Sequence, residues 1–318
     1  MKSGVWKFIA QCLHDDFPVV LLLVLQSKGS SPGRKGFKMA VSADRLVGSV
    51  GGGMMEHKFV ELAREQIRSG VSNAVLKQQF HSKTTPVNQS GMICSGESTL
   101  LVYPVSKKDQ SAITRIIQST EKNEPVFIRI DPSGIRIDNN SEDNSPDCII
   151  PETNHWQYTE TIGVVNRIHI IGGGHVSLAF SKLMAELKFQ VFVYDDREGL
   201  NTLELNTYAY EKCIVDYSVI GEIISSDPTA YAVIMTFGYR SDGVVLRQLL
   251  NNQYKYLGLL GSKAKIEQMW KELGAEGIES DKLNSVHAPV GLHIFSQTPE
   301  EIAVSIAAEI IMLKNKRP

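Results

Sequence analysis

The residues with the clearest chemical pattern are the glycines in IHIIGGGHVSLAF, residues 168–180, which follow the pattern G-x-G-x-x-S. Gly172 would make a tight turn after a strand, and Gly174 would let a phosphate approach the backbone at the start of a helix. Asp195 lies 23 positions after Gly172, at the end of the next predicted strand, where a carboxylate would bind a ribose hydroxyl. These residues predict a nucleotide-phosphate site. The alternative is a glycine turn that binds nothing, and His175 is either a ligand or an ordinary helix-start residue.

A second glycine-rich corner lies nearer the N-terminus. Gly51, Gly52 and Gly53 follow a predicted hairpin and run into a predicted helix, so their N–H groups would cluster at its positive end. Glu56, one turn into that helix, could accept a hydrogen bond from a ring N–H or orient a base. The loop upstream offers two hydroxyls and a guanidinium suited to an anion, from Ser30, Ser31 and Arg34. The prediction is an anion-binding corner, and the alternative is hairpin glycines beside a solvated arginine.

A few more positions carry weaker signals. Cys94 lies beside Gly96, and its thiol could carry sulfur or contact a metal's sulfur, with a buried inert cysteine as the alternative. Ser262 and Lys263 follow a predicted strand at the edge where open α/β sheets bind ligands. They predict either a phosphate contact or a simple helix start. Asp242 is interpreted as a carboxylate at a helix N-terminus.

No pattern predicts catalysis or a metal centre. The sequence contains neither a Ser-His-Asp arrangement nor G-x-S-x-G. His287 and His293 lack the further ligands that a zinc site needs. The four cysteines are scattered without a CxxC, which argues against a disulfide scaffold and favours a reducing, cytoplasmic location.

The elements that would position the second glycine motif alternate regularly. From residue 167 onward, short apolar stretches alternate with helix-like segments, which predicts a Rossmann-like, doubly wound parallel sheet. The last helix has an N-cap Thr298, a proline at the first helical position and a capping-box Glu301. The predicted strands are RIHII, QVFVYD, KCIVDY, AYAVIMTF and KYLGLL.

The first third predicts an α+β domain, so the fold class is α/β overall. An N-terminal helix, the buried strand FPVVLLLVLQS, a hairpin, a helix ending at Gly70 and two further strands, NAVLKQQF and STLLVYPV, follow in order. The middle contains a helix and a hairpin, and the stretch from 139 to 163 is interpreted as a linker or exposed excursion. The predicted domains are residues 1–105, a connecting subdomain at 106–163, and 164–318.

Composition and charge argue against nucleic-acid-binding and membrane-spanning functions. The chain has 318 residues, 42% hydrophobic and 21% charged, with a formal net charge of −2. Near-neutral charge without a basic tail gives no field for nucleic acid, and no apolar stretch approaches the roughly 20 residues of a membrane span. We expect partners other than nucleic acid or a membrane, and no signal peptide.

Seven ordered segments together resemble the XdhC/CoxI family of accessory proteins for molybdenum hydroxylases. The resemblance covers nearly the whole chain except residues 106–163. The segments are GSSPGRKGFKM, GSVGGGMMEH, CSGESTLLVYPV, IIGGGHVSLAF, VFVYDDRE, YLGLLGSKAK and APVGLHIFSQTPEEIAVSIAAEI.

The resemblance implies a maturation chaperone rather than an enzyme. Family members are thought to bind molybdenum cofactor (molybdopterin), assist its sulfuration and insert it into an apo-molybdenum hydroxylase such as xanthine dehydrogenase. The expected partners are that apo-enzyme and a cysteine desulfurase, and we expect a homodimer. One glycine corner could hold the pterin and the other a nucleotide such as NAD(P), or both could face one shared cleft between the domains. The alternatives are an NAD(P)-dependent oxidoreductase and a nucleotide-binding regulatory protein.

The chain departs from the family pattern at a few positions. Ser95 replaces the first glycine of the usual Cys-Gly-Gly, which puts close backbone approach at Cys94 in doubt. Phe237 stands where a histidine commonly follows Thr236, which removes any role for a titrating imidazole there. Ser177 replaces alanine or glycine and adds one hydroxyl.

Overall fold

The computed structural model describes residues 2–29, 33–80, 96–138, 147–149, 156–163, 165–224 and 226–316. The chain divides into two compact units, Met1–Val164 and Val165–Pro318, called here the first and second units. Each has hydrophobic clusters of its own. Among the residues that the structure describes, no helix combines the length and hydrophobicity needed to cross a lipid bilayer.

The first unit is built on a five-stranded antiparallel sheet in the order β3-β2-β1-β5-β4 and a four-stranded antiparallel sheet in the order β7-β6-β9-β8. Its elements are α1 (Lys2–His14), β1 (Val19–Gly29), β2 (Lys38–Val41), β3 (Leu46–Gly48), α2 (Gly53–Ser69), β4 (Val75–Phe80), β5 (Gly96–Val105), α3 (Gln110–Lys122), β6 (Val126–Asp131), β7 (Gly134–Ile137), β8 (Asp147–Ile149) and β9 (Gln157–Ile162).

Strand β1 shows why its sequence is apolar without interruption. Its side chains alternate between two clusters, because successive side chains of a strand point to opposite faces. Leu21 and Leu23 pack in the cluster that holds α1 and α3, whereas Leu22 and Val24 pack in the cluster that holds α2. The predicted hairpin, the helix ending at Gly70 and the two following strands are confirmed.

The interpretation of the stretch from 139 to 163 as a linker is wrong for β9. This strand pairs antiparallel with β6, and Trp156 and Tyr158 are buried in the core beside α1 and α3. The segment WQYTETI is rich in residues that favour strands, which was the available signal. Glu160 made this strand harder to predict, because a charged residue at a buried strand position breaks the alternation of apolar and polar residues.

The second unit is the predicted doubly wound sheet. Its five strands are all parallel in the order β12-β11-β10-β13-β14, which is the 3-2-1-4-5 order of the Rossmann fold. The sheet separates a cluster containing α4 and α10 from one containing α7 and α8. Its elements are β10 (Arg167–Ile171), α4 (His175–Glu186), β11 (Gln190–Asp195), α5 (Asn201–Glu204), β12 (Glu211–Ile214), α6 (Ile220–Ile223), β13 (Asp227–Ile234), α7 (Tyr239–Leu249), β14 (Tyr254–Leu259), α8 (Lys263–Ala275), α9 (Ser280–Asn284) and α10 (Pro299–Asn315).

Local signals place the last helix as predicted. The Thr298 hydroxyl accepts from the Glu301 N–H at 3.2 Å, while the Glu301 carboxylate accepts from the Thr298 N–H at 3.2 Å. These reciprocal bonds form the capping box, with Pro299 at the first helical position. The helix predicted after β12 is shorter than expected, since α6 has only four residues.

Candidate functional site

The Rossmann turn, Gly172–Gly174, joins β10 to α4 at the carboxyl edge of the parallel sheet. Gly172 has φ +114°, and a Cβ there would lie 2.2 Å from the Met235 carbonyl oxygen. Only glycine fits this position, because a side chain would be both strained and obstructed. Ser177, at the third position of the fingerprint, is buried, as the close packing of α4 requires.

The peptide of Gly173 is fixed from both sides. Its N–H donates to Asp195 Oδ2 at 2.6 Å, and its carbonyl oxygen accepts from the Thr202 hydroxyl at 2.6 Å. The next residue, Gly174, is the N-cap of α4, and a Cβ there would meet no atom within 4 Å. No side chain caps α4 at Gly174. The helix therefore presents its first N–H groups at an open position, where an anion is stabilised.

Asp195 is wholly buried beneath this turn. Its oxygens accept from Gly173 and from Arg197, whose Nε and Nη2 lie 2.8 and 2.9 Å from Oδ1 and Oδ2. Burial alone would raise the pKa of Asp195, but the hydrogen bonds from Arg197 and the Gly173 N–H hold it below its ordinary value. Asp195 thus anchors the turn directly through the Gly173 N–H, and Arg197 holds the carboxylate in place. A ribose contact at Asp195 stays a prediction, although both oxygens already have partners.

Arg197 also forms an exposed pair with Phe237. The guanidinium lies 5.3 Å from the centre of the Phe237 ring, whose exposed fraction is 88%. The two residues follow β11 and β13 at the carboxyl edge of the sheet. The Arg197 contacts were not predicted from the sequence, because a side chain that folds back over two residues leaves no periodic signal.

A second buried carboxylate lies at the same edge. Asp242 Oδ1 accepts from the Thr236 hydroxyl at 2.6 Å, and Oδ2 accepts from Lys265 Nζ. Asp242 has no exposed surface, so it is more than a carboxylate at a helix N-terminus. The sequence pointed to Ser262 and Lys263 instead. Ser262 accepts from the Lys265 N–H at 3.3 Å and caps α8, while Lys263 is exposed.

His175 and His287 have different surroundings within the second unit. His175, the first residue of α4, is exposed and lines a cavity of about 510 Å³ between α4 and α10. His287 Nδ1 lies 3.2 Å from Glu309 Oε1, and its ring stacks on Tyr256. Within the described ranges, no group of three His, Cys, Asp or Glu side chains is placed to hold a metal ion.

The first glycine corner, Gly51–Gly53, is filled by a side chain of its own helix. Glu56 Oε2 accepts from the Ser49 hydroxyl at 2.6 Å, the Val50 N–H at 2.9 Å and the Gly52 N–H at 3.0 Å. Of the N–H groups expected to face an external anion, that of Gly52 donates to this internal carboxylate and that of Gly51 donates to the Ser49 hydroxyl at 3.1 Å. Partial burial alone would raise the pKa of Glu56, but these hydrogen bonds hold it below its ordinary value.

The remaining residues of that predicted site are not brought to the corner by any described contact. Arg34 is exposed on the loop that leads into β2. Ser30, Ser31 and Cys94 lie outside the described residues. Their proposed roles stay predictions.

Comparisons with known proteins match both units. The family described as "XdhC and CoxI family" matches residues 12–77, and the "XdhC Rossmann domain" matches residues 168–310. The chain is 25% identical to YqeB of Escherichia coli (strain K12) over 99% of its own length, but spans only 47% of that protein. It is 22% identical to a probable xanthine dehydrogenase subunit of Bacillus subtilis (strain 168), covering 96% of each chain.

A solved structure shows the same fold over nearly the whole chain. It is described as a xanthine dehydrogenase from Bacillus halodurans, with a TM-score of 0.71 and 23% identity. The match covers 98% of this chain and 96% of that one. The two family matches, one in each unit, agree with this shared fold. The chain belongs to the XdhC and CoxI family, and its second unit is an XdhC Rossmann domain.

Proposed function

We propose that this chain is an accessory protein of a xanthine dehydrogenase-type molybdenum enzyme, and that it carries molybdenum cofactor to the apo-enzyme. The observation that carries the proposal is the family match in both units, joined to relatives whose names refer to xanthine dehydrogenase. We also propose that the cofactor is sulfurated with a cysteine desulfurase as the sulfur source. The chain is further proposed to be cytoplasmic and to form a homodimer.

The polar groups at the carboxyl edge of the second unit suit holding a ligand better than transforming one. Asp195 is paired with Arg197, and Asp242 with Lys265. Asp195 is a poor proton acceptor, because the hydrogen bonds from Arg197 and the Gly173 N–H hold its pKa below the ordinary value. What stays open at this edge is the N-terminus of α4, which favours a phosphate. We assign that position to the phosphate of a nucleotide, in the usual role of a Rossmann turn.

The test of the accessory role is cargo transfer. The chain is purified under native conditions from molybdate-fed cells and examined by metal analysis and native mass spectrometry. We expect molybdenum with the mass of a pterin cofactor on a dimer, and activation of an apo-molybdenum hydroxylase when the loaded chain is added. Protein stripped of cofactor is the control and should activate nothing. A chain that carries no molybdenum, or carries it without activating the apo-enzyme, would contradict the proposal.

The second candidate function is a nucleotide-binding regulatory protein. The 3-2-1-4-5 strand order and the open N-terminus of α4 favour it. NADH fluorescence should rise saturably on binding, and Gly174→Asp should abolish the rise. Aspartate is a favoured N-cap and its Cβ has room, so the fold is retained while the carboxylate takes the anion position.

Gly274→Asp is the matched control for that variant, because Gly274 also has no atom within 4 Å of a Cβ and lies on α8. Saturable NADH binding in a chain that neither holds nor transfers molybdenum would favour the regulatory function. Steady turnover of a hydroxylated metabolite with NAD(P) would instead favour an oxidoreductase.

A further inference from the structure

The first unit contains a cavity that no sequence pattern revealed. Its volume is about 270 Å³, below the roughly 300–1,000 Å³ of sites for drug-sized ligands, so it suits one fused ring system rather than a dinucleotide. The cavity lies beside the first glycine corner, because Gly48 and Ser49 belong to its wall. The other lining residues are Val5, Trp6, Gly36, Phe37, Lys38, Glu160 and Ile162.

A buried ion pair lies in this mostly apolar wall. Lys38 Nζ is 2.5 Å from Glu160 Oε1, and the exposed fractions of the two side chains are only 12% and 8%. Tyr158 donates its hydroxyl to Glu160 Oε2 at 2.9 Å. Burying two charges costs several kcal/mol per ion, so a pair held against a cavity is a candidate for function.

The carboxylate of Glu160 has accepting capacity beyond these contacts. Two carboxylate oxygens offer about four lone-pair positions, and each oxygen has one described partner, Lys38 or Tyr158. Oε1 is fully buried, so the position left for a ligand is on Oε2, which matches one N–H donor of a ligand. Phe37, whose exposed fraction is 43%, supplies aromatic surface for a flat ring, whereas Trp6 is almost wholly buried.

We propose that this cavity binds a fused pyrimidine ring through its exocyclic amino group, as in the 2-amino group of a pterin. Glu160 Oε2 accepts from that amino group, and Lys38 stays paired with Oε1. The identity of the ring as the pterin of the cargo rests on the proposed function, whereas the cavity and its donor preference do not. The pterin site is then the cavity beside the glycine corner, not the corner itself, which Glu56 fills.

The test uses the full chain, freed of cofactor, and two phosphate-free probes whose fluorescence reports binding. Pterin carries the 2-amino group, and lumazine has a carbonyl oxygen in its place. We expect pterin to bind about tenfold or more tightly than lumazine, because the carbonyl would face the Glu160 carboxylate. Equal affinity for the two probes would overturn the proposal, as would no binding of pterin.

Variants then locate the site. Glu160→Gln should weaken pterin binding about tenfold or more, and Glu61→Gln, on the exposed face of α2, should leave it unchanged. Because Glu160→Gln breaks a buried ion pair, the double variant Lys38→Met/Glu160→Gln removes both charges at similar volume and should fold. It too should lose pterin binding, and a folded double variant that keeps wild-type affinity would overturn the proposal.

The outcome is separable from that of the proposed function. Gly174→Asp should leave pterin affinity unchanged, because that substitution blocks only the Rossmann turn of the second unit; a loss of pterin binding there would overturn the cavity assignment. A double variant that still carries molybdenum and activates the apo-enzyme would overturn the cavity assignment alone. A wild-type chain that binds pterin in the cavity but never carries molybdenum would support the cavity and overturn the accessory role.

Discussion

At the scale of single residues, two carboxylates that the sequence offered as ligand contacts hold the backbone of their own loops. Glu56 accepts from Ser49 and two backbone N–H groups, and Asp195 accepts from Gly173 and Arg197. Each lies where an external group was expected, because a glycine-rich turn that gathers N–H groups attracts whichever negative charge is nearest. The residue types were predictable from the sequence, but the identity of the bound anion was not.

Glu56→Gln should make the first unit less stable and less sensitive to acid. Losing the charge weakens three hydrogen bonds, and we expect the free energy of unfolding at pH 7 to fall by about 1–2 kcal/mol. The folded-state pKa lies below the ordinary value of 4.5, so the stabilisation is complete above that value and is lost as the pH falls through the folded-state pKa.

Urea unfolding between pH 7 and 3 measures this effect. Glu61→Gln, on the same helix and half-exposed, is the control. If the two variants showed the same stability at every pH, Glu56 would not be the anchor of the corner.

Asp195→Asn separates anchoring from ribose binding. Arg197 and the Gly173 N–H would lose their charged acceptor, and we expect a loss of about 2–3 kcal/mol of stability. Asp196→Asn is the control, because its partly exposed carboxylate lies 3.9 Å from Arg197. Chemical denaturation gives the stability, and NADH titration gives the affinity. If Asp195→Asn left stability unchanged but lost NADH affinity, the result would support a contact between Asp195 and the ribose.

At the scale of elements, apolar periodicity predicted the second unit almost completely. Its strands are short apolar stretches separated by helices. Position 172 requires glycine, because its φ is positive and the Met235 carbonyl oxygen lies close to it. The first unit was harder to predict. Strand β9 carries Glu160 at a buried position, and only its pairing with Lys38, 122 positions away in sequence, makes that placement favourable. No local pattern contains a contact of that range.

Gly172 and Gly174 of the Rossmann turn should respond differently to alanine. Gly172→Ala should cost about 3 kcal/mol or more, because the new Cβ meets the Met235 carbonyl oxygen in a strained conformation. Gly174→Ala should change stability by less than about 0.5 kcal/mol, since its Cβ meets open space, but should weaken nucleotide binding. Thermal unfolding and NADH titration of both variants test the contrast. Equal destabilisation would contradict the assigned geometry.

At the scale of the whole molecule, the fold class predicted from the sequence is confirmed, with a parallel Rossmann sheet in the C-terminal half. Of residues 106–163, interpreted as a connecting subdomain, those described contribute α3 and strands β6 to β9 to the first unit, and Ile113, Ile128 and Tyr158 are buried in its core. The helix and hairpin there were predicted. Their burial was not, because burial depends on which surfaces the rest of the chain supplies.

The distribution of tryptophan allows a test of where the nucleotide binds. Trp6 and Trp156 are buried in the first unit, and Trp270 lies on α8 of the second. In a Trp6→Phe/Trp156→Phe variant, Trp270 is the one remaining tryptophan of the chain. ADP at 100 times its Kd should raise the free energy of unfolding reported by Trp270 by about 2.7 kcal/mol. Adding Gly174→Asp should remove that gain, and a gain that persists would place the nucleotide elsewhere.

The Lys38–Glu160 pair also constrains how this sequence can change over evolutionary time. Losing either charge alone breaks a buried ion pair, whereas replacing both together by apolar residues can be nearly neutral. Substitutions at positions 38 and 160 should therefore covary. Across homologues, an aligned position 38 without a basic residue should be accompanied by a position 160 without an acidic one.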